Sequence, residues 1–276
     1  MMRLVIYLFC LCITATEVLA QPEPAKRIVA LSPHSVELLY AIGAGHTIVG
    51  TVEFADTPPE ALNIPRLGNY AGIQIERVVA AQPDLIIAWR TGNKTEDLTK
   101  LESLGYPMFF TQPETVSQIP IEVRKLGALT GYRDNAEALA EQLTTRYQKL
   151  LSTYQNLRPV RVFYQLWHNP IRSVGPGSWV DGLIRDCGGE NIFGNVDNDY
   201  PIVAKETVIS HNPEVIIIPE HSGTQTSPGS LWERWPEIAA VRNGRVTSLN
   251  GDLLHRFTPR ALDGLEQLCQ AIDRAR

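Results

Sequence analysis

Six histidines stand at positions 34, 46, 168, 211, 221 and 255, and no two of them share the close spacing of a metal-binding pair. The only route left to a metal is a composite site built from distant loops, so the sequence predicts no resident metal and no cofactor. The stretch DLLHRF (252–257) brings Asp252 within three positions of His255, the nearest approach to an acid–base pair. Neither a nucleophile motif nor a glycine-rich oxyanion motif accompanies them, and no GxxxxGK[ST], GxSxG or HExxH occurs. GAGHTIVG (43–50) has the wrong spacing for a dinucleotide loop and follows a helical pattern rather than a strand. It reads as a helix stop and turn, and the chain is predicted not to be an enzyme.

What the residue types do favour is binding. Pro33 and His34 follow the first apolar run, Phe54 lies in the next loop, Tyr70 falls within LGNYAG, and Trp89-Arg90 closes LIIA. Trp167-His168 follows FYQL, Tyr200 precedes Pro201, and DLLHRF follows the last apolar run. Aromatics bury much area and have few rotatable bonds to order, which suits a preformed apolar pocket. Any one of them is also an ordinary core residue.

The elements that must carry these residues alternate. RIVAL (27–31) reads as a buried strand and PHSVELLYAIGAG as a helix, with Ser32 as its N-cap and Gly43 or Gly45 as its stop. Strand 47–50, a turn at 56–60, helix 75–81, strand 85–89, helix 93–104, strand 106–111 and helix 115–130 follow. Such alternation predicts parallel sheets with covered faces, and open parallel sheets bind ligands beyond the carboxyl ends of their strands. Residues 134–156 then run without Gly or Pro, with Leu139, Leu143, Tyr147, Leu150 and Tyr154 on one helical face. That helix would extend roughly 35 Å. Strand 161–166, helix 178–187, helix 203–211, strands 215–219 and 245–250 and helix 259–274 restart the alternation.

ERVVAAQPDLIIAW (76–89) and ETVISHNPEVIIIP (206–219) repeat one helix–Pro–strand sentence at an offset of 130 positions, on either side of the long helix. Two α/β lobes joined by a helical strut account for this; a single open sheet with look-alike units is the alternative. The predicted organisation is a signal peptide at 1–20, an N-terminal lobe at 21–133, a connecting helix at 134–157 and a C-terminal lobe at 158–276.

Met1-Met2-Arg3, an apolar run from Leu4 to Thr16 and Val18-Leu19-Ala20 read as a secretory signal cut after Ala20. A lipoprotein signal at Cys10 or Cys12 would need a small residue before the cysteine, where Phe9 and Leu11 stand. Export leaves Cys187 and Cys269, which read either as one disulfide or as two separately buried thiols. The net charge of −5 and the lack of a Lys/Arg cluster argue against nucleic acid. No other apolar run reaches spanning length.

RIVALSPHSVELLYAIGA, DTPPEALNIPRLGNYAGIQIERVVAAQPDLIIAWRTGN, DCGGENIF and TPRALDGLEQLCQAI together resemble the cobalamin (vitamin B-12)-binding periplasmic proteins of bacterial ABC importers, of the helical-strut, class III solute-binding family. The resemblance covers almost all of the chain after the signal. The Pro-Asp-Leu-Ile strand is shared with haem and siderophore binders, whereas IAWRTGN with CGGENIF is more specific to the cobalamin branch. It implies two Rossmann-like lobes bridged by a rigid helix, a periplasmic monomer, and a corrinoid held in the cleft for delivery to a membrane permease and its ATPase. The ligand-contacting positions it implies are Pro33, Phe54, Tyr70, Trp89, Arg172, Tyr200, Asp252, Leu253, Leu254, His255 and Arg256, with Arg256 a partner for a side-chain amide or phosphate of the ligand. Phe54 stands where Tyr is usual, Tyr70 and Tyr200 where Trp is usual, and Leu253-Leu254 where an aromatic pair is usual. Cys187 and Cys269 match the family's disulfide, and Glu76 and Glu206 match glutamates that dock on permease arginines. The alternative ligand is haem, with His168 or His255 as axial ligand, or an anionic siderophore held by Arg90, Arg172 and Arg256.

Overall fold

The structure is a computed structural model and describes residues 23–221 and 231–276. The signal peptide reading lies outside the described residues. The first lobe is built from β1 (Ile28–Ala30), α1 (Pro33–Ala41), β2 (Ile48–Thr51), the short hairpin β3 (Gly68–Asn69) and β4 (Gly72–Ile73), α2 (Ile75–Ala81), β5 (Leu85–Trp89), α3 (Thr95–Ser103), β6 (Met108–Thr111) and α4 (Ile119–Thr130). The long helix α5 spans Arg133–Tyr154. The second lobe follows with β7 (Val160–Tyr164), the hairpin β8 (Trp167–His168) and β9 (Ile171–Arg172), α6 (Trp179–Asp186), β10 (Gly189–Asn191), α7 (Lys205–His211), β11 (Val215–Glu220), α8 (Ala239–Arg242), β12 (Val246–Asn250), α9 (Gly251–His255) and α10 (Ala261–Asp273).

Each lobe holds one four-stranded sheet, ordered β2-β1-β5-β6 in the first and β10-β7-β11-β12 in the second. Every pairing within both is parallel. The single open sheet is thereby set aside. Successive side chains of a strand face opposite sides, and the core divides accordingly. Val29, Ile86 and Ala88 pack into an outer cluster of the first lobe, and Phe163, Ile216 and Ile218 into one of the second. Ile28, Ala30, Leu85 and Ile87 face inward and share one continuous cluster with Val162, Tyr164, Val215 and Ile217 of the other lobe. Ala136, Ala140, Leu143 and Leu150 of α5 belong to that same cluster. The strut is therefore a shared piece of core rather than a tether. Its contact with α4 is close: a Cβ at Gly127 would sit 2.3 Å from that of Ala136.

Local chemistry sets the boundaries. Ser32 caps α1, its Oγ accepting from Ser35 N–H at 3.3 Å. Gly43 takes φ 88° just past the helix, where Ala44 N–H donates back to Leu39 C=O at 2.8 Å. One expectation is corrected: the turn at 56–60 runs into a 3₁₀ helix over Pro59–Asn63. The stretch after the last strand coils into α9. Cys187 and Cys269 are joined in a disulfide with Cα atoms 4.7 Å apart, tying the end of α6 to α10.

Candidate ligand-binding site

The carboxyl ends of the two sheets face a cavity of about 590 Å³ lined from both lobes. Trp89, Thr91 and Gln112 come from beyond β5 and β6; Trp179, Tyr200 and Phe257 come from the second lobe. Phe257 is the wedge. Its ring stands edge-on to Trp179 at 4.8 Å, to His34 at 5.4 Å and to Trp89 at 5.9 Å. Trp179 is fixed by its indole N–H donating to Leu254 C=O at 2.8 Å. His34 lies edge-on to Trp89 at 5.3 Å, and burial with the nearby Arg256 charge holds its imidazole down at about 3. The aromatic cluster behind the cavity is thus uncharged at neutral pH, while Glu114 and Asp199 add acidic side chains to the cavity's lining.

Around that cluster the two lobes are joined by charge. Arg256 Nη1 donates to Glu37 Oε1 at 2.9 Å and to Asp56 Oδ1 at 2.8 Å, both in the first lobe. Arg260 donates to both oxygens of the same Glu37, at 2.8 and 2.9 Å. Glu37 is buried, so two guanidinium groups offset the desolvation of one carboxylate. Arg256 also lies 3.5 Å from Asp252, whose Oδ1 meets His221 Nδ1 at 3.2 Å.

The residues singled out from sequence stand in different places. Trp89 and Tyr200 line the cavity, and Arg172 stands beside them, its Nη1 donating to Tyr200 C=O at 3.3 Å. Phe54 and Tyr70 are 65% and 80% exposed on the first lobe and do not line the enclosed space. Phe54 holds φ 65°, a left-handed backbone that a bulky residue rarely adopts. Pro33 occupies the first turn of α1. Leu254 is a correction: its side chain has no exposed surface and packs in the core, because one face of α9 turns inward. Leu253 is half-buried, and its backbone is pressed against Gly264, where an added Cβ would meet it at 2.9 Å. Arg256 is likewise committed to Glu37 and Asp56 rather than standing free for a ligand.

The side chains of the alternative readings have other partners. His255 Nε2 pairs with Tyr164 Oη at 2.8 Å, and burial lowers it to about 4. The carboxylate of Asp252 meets His221 and Arg256, so the Asp252–His255 dyad does not assemble. Arg90 lies over the Phe110 ring at 3.8 Å, which with the commitment of Arg256 leaves no converging arginine trio. His168 is exposed and stacked on Trp167. Reading along the sequence missed Gln112, Trp179, Phe257, Glu37 and Arg260; of these only Phe257 had a signal, as the last letter of DLLHRF.

The model of the periplasmic binding protein family matches residues 28–253. The chain belongs to that family. A vitamin B12-binding protein of Vibrio cholerae is 38% identical over 252 residues, 91% of this chain and 90% of the relative. One from Yersinia pestis is 33% identical over 249 residues, 90% and 86% of the two chains. The crystal structure of the periplasmic vitamin B12 binding protein of Vibrio cholerae superposes with a TM-score of 0.85 at 36% identity, covering 92% of this chain and 99% of that one. A periplasmic heme-binding protein of Roseiflexus sp. RS-1 gives 0.79 at 22% identity, covering 91% and 100%, a likeness of fold alone. Family membership makes this chain a solute-binding protein and not an enzyme, as its absent nucleophile motifs predicted.

Proposed function

We propose that this periplasmic binding protein captures cobalamin in the cleft between its lobes and delivers it to the permease of an ABC importer. The observation that carries the reading is the aromatic lining contributed by both lobes, in a chain whose relatives named as vitamin B12-binding span nine-tenths of its length. A broad macrocycle suits such a lining, because stacked and edge-on rings supply burial without fixing charge. Trp89 and Tyr200 meet the ligand within the cavity, and Phe257 and Trp179 set its depth. Phe54 and Tyr70 extend contact at the rim of the first lobe; Pro33, Arg172, Asp252, Leu253 and His255 frame the remainder. Arg256 acts by holding the lobes in register. The carrier works as a monomer in the periplasm.

Glu76 and Glu206 supply the second half of the function. Each lies in the first turn of its helix, α2 or α7, is exposed and makes no ion pair among the described residues. Helices of a parallel α/β unit run opposite to their strands, so both glutamates stand at the cleft-side edge of their sheets. They are the proposed contacts to basic residues of the permease.

Isothermal titration with cyanocobalamin tests the ligand. A saturable, one-to-one isotherm is expected, with haem giving none under the same conditions. No heat at micromolar protein would sink the reading.

A further inference from the structure

Among the described residues, the cavity lining carries no Lys, Arg or His but two acids, Glu114 from the first lobe and Asp199 from the second. Glu114 follows Gln112 and Pro113 just beyond β6, and both of these also line the space. Its backbone is set by its N–H, which donates to Gln118 Oε1 at 2.6 Å. Asp199 is held more fully. Its C=O accepts from Gly175 N–H at 2.8 Å, and its Oδ1 from Gly177 N–H at 3.0 Å. Only a glycine leaves room at 177, because an added Cβ would sit 2.3 Å from that oxygen.

Both acids are exposed, and neither belongs to an ion pair among the described residues. The arginines around the cleft are engaged elsewhere: Arg256 and Arg260 on Glu37, and Arg172 on Tyr200 C=O. No group of three His, Cys, Asp or Glu among the described residues is arranged to hold a metal ion, so the two acids are not part of a cation cage. Their effect falls on the charge of the ligand itself. A carboxylate accepts hydrogen bonds and donates none. Facing a primary carboxamide it takes an N–H; facing a second carboxylate it meets only repulsion. Once a ligand fills the cavity and displaces water, that repulsion is screened less than on an open surface.

We propose that Glu114 and Asp199 are specificity-determining residues, one from each lobe, that turn the cleft against acidic ligands. The proposal rests on the cobalamin reading above and adds that the rim of the accepted ring is amidated. The corrin ring of cobalamin bears primary carboxamide arms at its edge, whose NH₂ groups are donors for both acids. A porphyrin with two propionates, or an anionic siderophore, brings like charge against them and finds no guanidinium on the lining to offset it.

The test titrates the protein with cyanocobalamin and with its monocarboxylic derivatives, each having one amide hydrolysed to an acid. The phosphate of the nucleotide loop is common to all of them and cancels in the ratio of affinities. At about 20 mM salt, wild-type protein should favour the amide about tenfold at one or more arms, and at about 0.5 M salt that preference should shrink to about threefold. In Glu114→Gln with Asp199→Asn, which keep an acceptor oxygen at each position, the preference should fall below about threefold at either salt concentration. Each single variant should remove part of it and so assign an arm to a lobe. Equal affinity of wild-type protein for amide and acid at every arm overturns the proposal without any variant. A preference that ignores salt, or that survives in the folded double variant, overturns it while the cobalamin reading stands. Failure of wild-type protein to bind cyanocobalamin overturns both.

Discussion

The two lobes repeat one another down to single hydrogen bonds and then part at their edges. In the first, α2 ends on Gln82 at φ 47° and in the second α7 ends on Asn212 at φ 46°; a proline follows each. Arg27 Nε donates to Gln82 C=O at 3.1 Å, and Arg161 Nε to Asn212 C=O at 3.2 Å. Asp84 accepts from Arg27 N–H at 3.0 Å, and Glu214 from Arg161 N–H at 3.1 Å. Beyond the strands the likeness stops. β5 ends in Trp89, which lines the cleft, whereas β11 ends in exposed Glu220. Among the described residues, only the second lobe carries a disulfide. The repeated parts build frame and docking edge; the unrepeated parts meet the ligand.

The largest break in that symmetry is covalent. Cys187→Ala with Cys269→Ala opens a link spanning 82 positions and should cost the fold about 4 kcal/mol in the chain-entropy account. Urea melts should show the second lobe unfolding first, with the first lobe's transition nearly unmoved. A uniform shift of both would mean that the shared core couples the lobes too tightly to part. Next comes the ligand. Trp89→Ala should weaken cyanocobalamin binding about a hundredfold, as loss of a central aromatic anchor does. Glu220→Ala, at the matching strand end, should change it less than about twofold. Comparable losses in the two titrations would erase the division of labour.

A smaller effect concerns the shared edge. Glu76→Ala with Glu206→Ala should leave ligand affinity within about twofold and weaken binding to the membrane transporter about tenfold, a typical sum for two exposed charge contacts. Each single variant should give part of that loss. Unaltered docking of the double variant in a surface plasmon resonance measurement would reduce both residues to helix-start acids.

The frame was readable because its signals are local. Apolar runs, the Ser32 cap, the left-handed stops and the prolines each lie within a few positions of the element they define, and the 130-position echo exposed the second lobe. The cleft was readable only at strand ends, where Trp89 and Tyr200 stood out. Glu37 and Arg256 lie 219 positions apart, and neither carries a pattern announcing the other. Gln112 shows nothing unusual until its neighbours bury one end of its amide. Leu254 misled because a run after a strand reads as loop, whereas a single helical turn is enough to turn one leucine inward and leave the next group outside.

The smallest expected effect sets the cleft against the strut by pH. Burial lowers His255 to about 4, while the unfolded imidazole titrates near 6.5, so the unfolded chain takes up a proton between these values that the fold refuses. Stability is therefore lost as pH falls from about 6.5 towards 4. At the junction of α5 and α6, burial raises Asp186 to about 6 beside Tyr147, whose hydroxyl donates to it at 2.8 Å. There the fold keeps a proton that the unfolded chain releases near 3.9, and stability is lost as pH rises from about 4 through 6. The two contributions oppose each other, which flattens the wild-type profile over the acid range. His255→Gln should retain about 1 kcal/mol more than wild type on moving from pH 7 to 5.5, and Asp186→Asn should show the steeper acid loss that the carboxyl otherwise masks. Thermal melts at the two pH values decide it: parallel profiles for all three proteins would mean that neither group changes its proton affinity on folding.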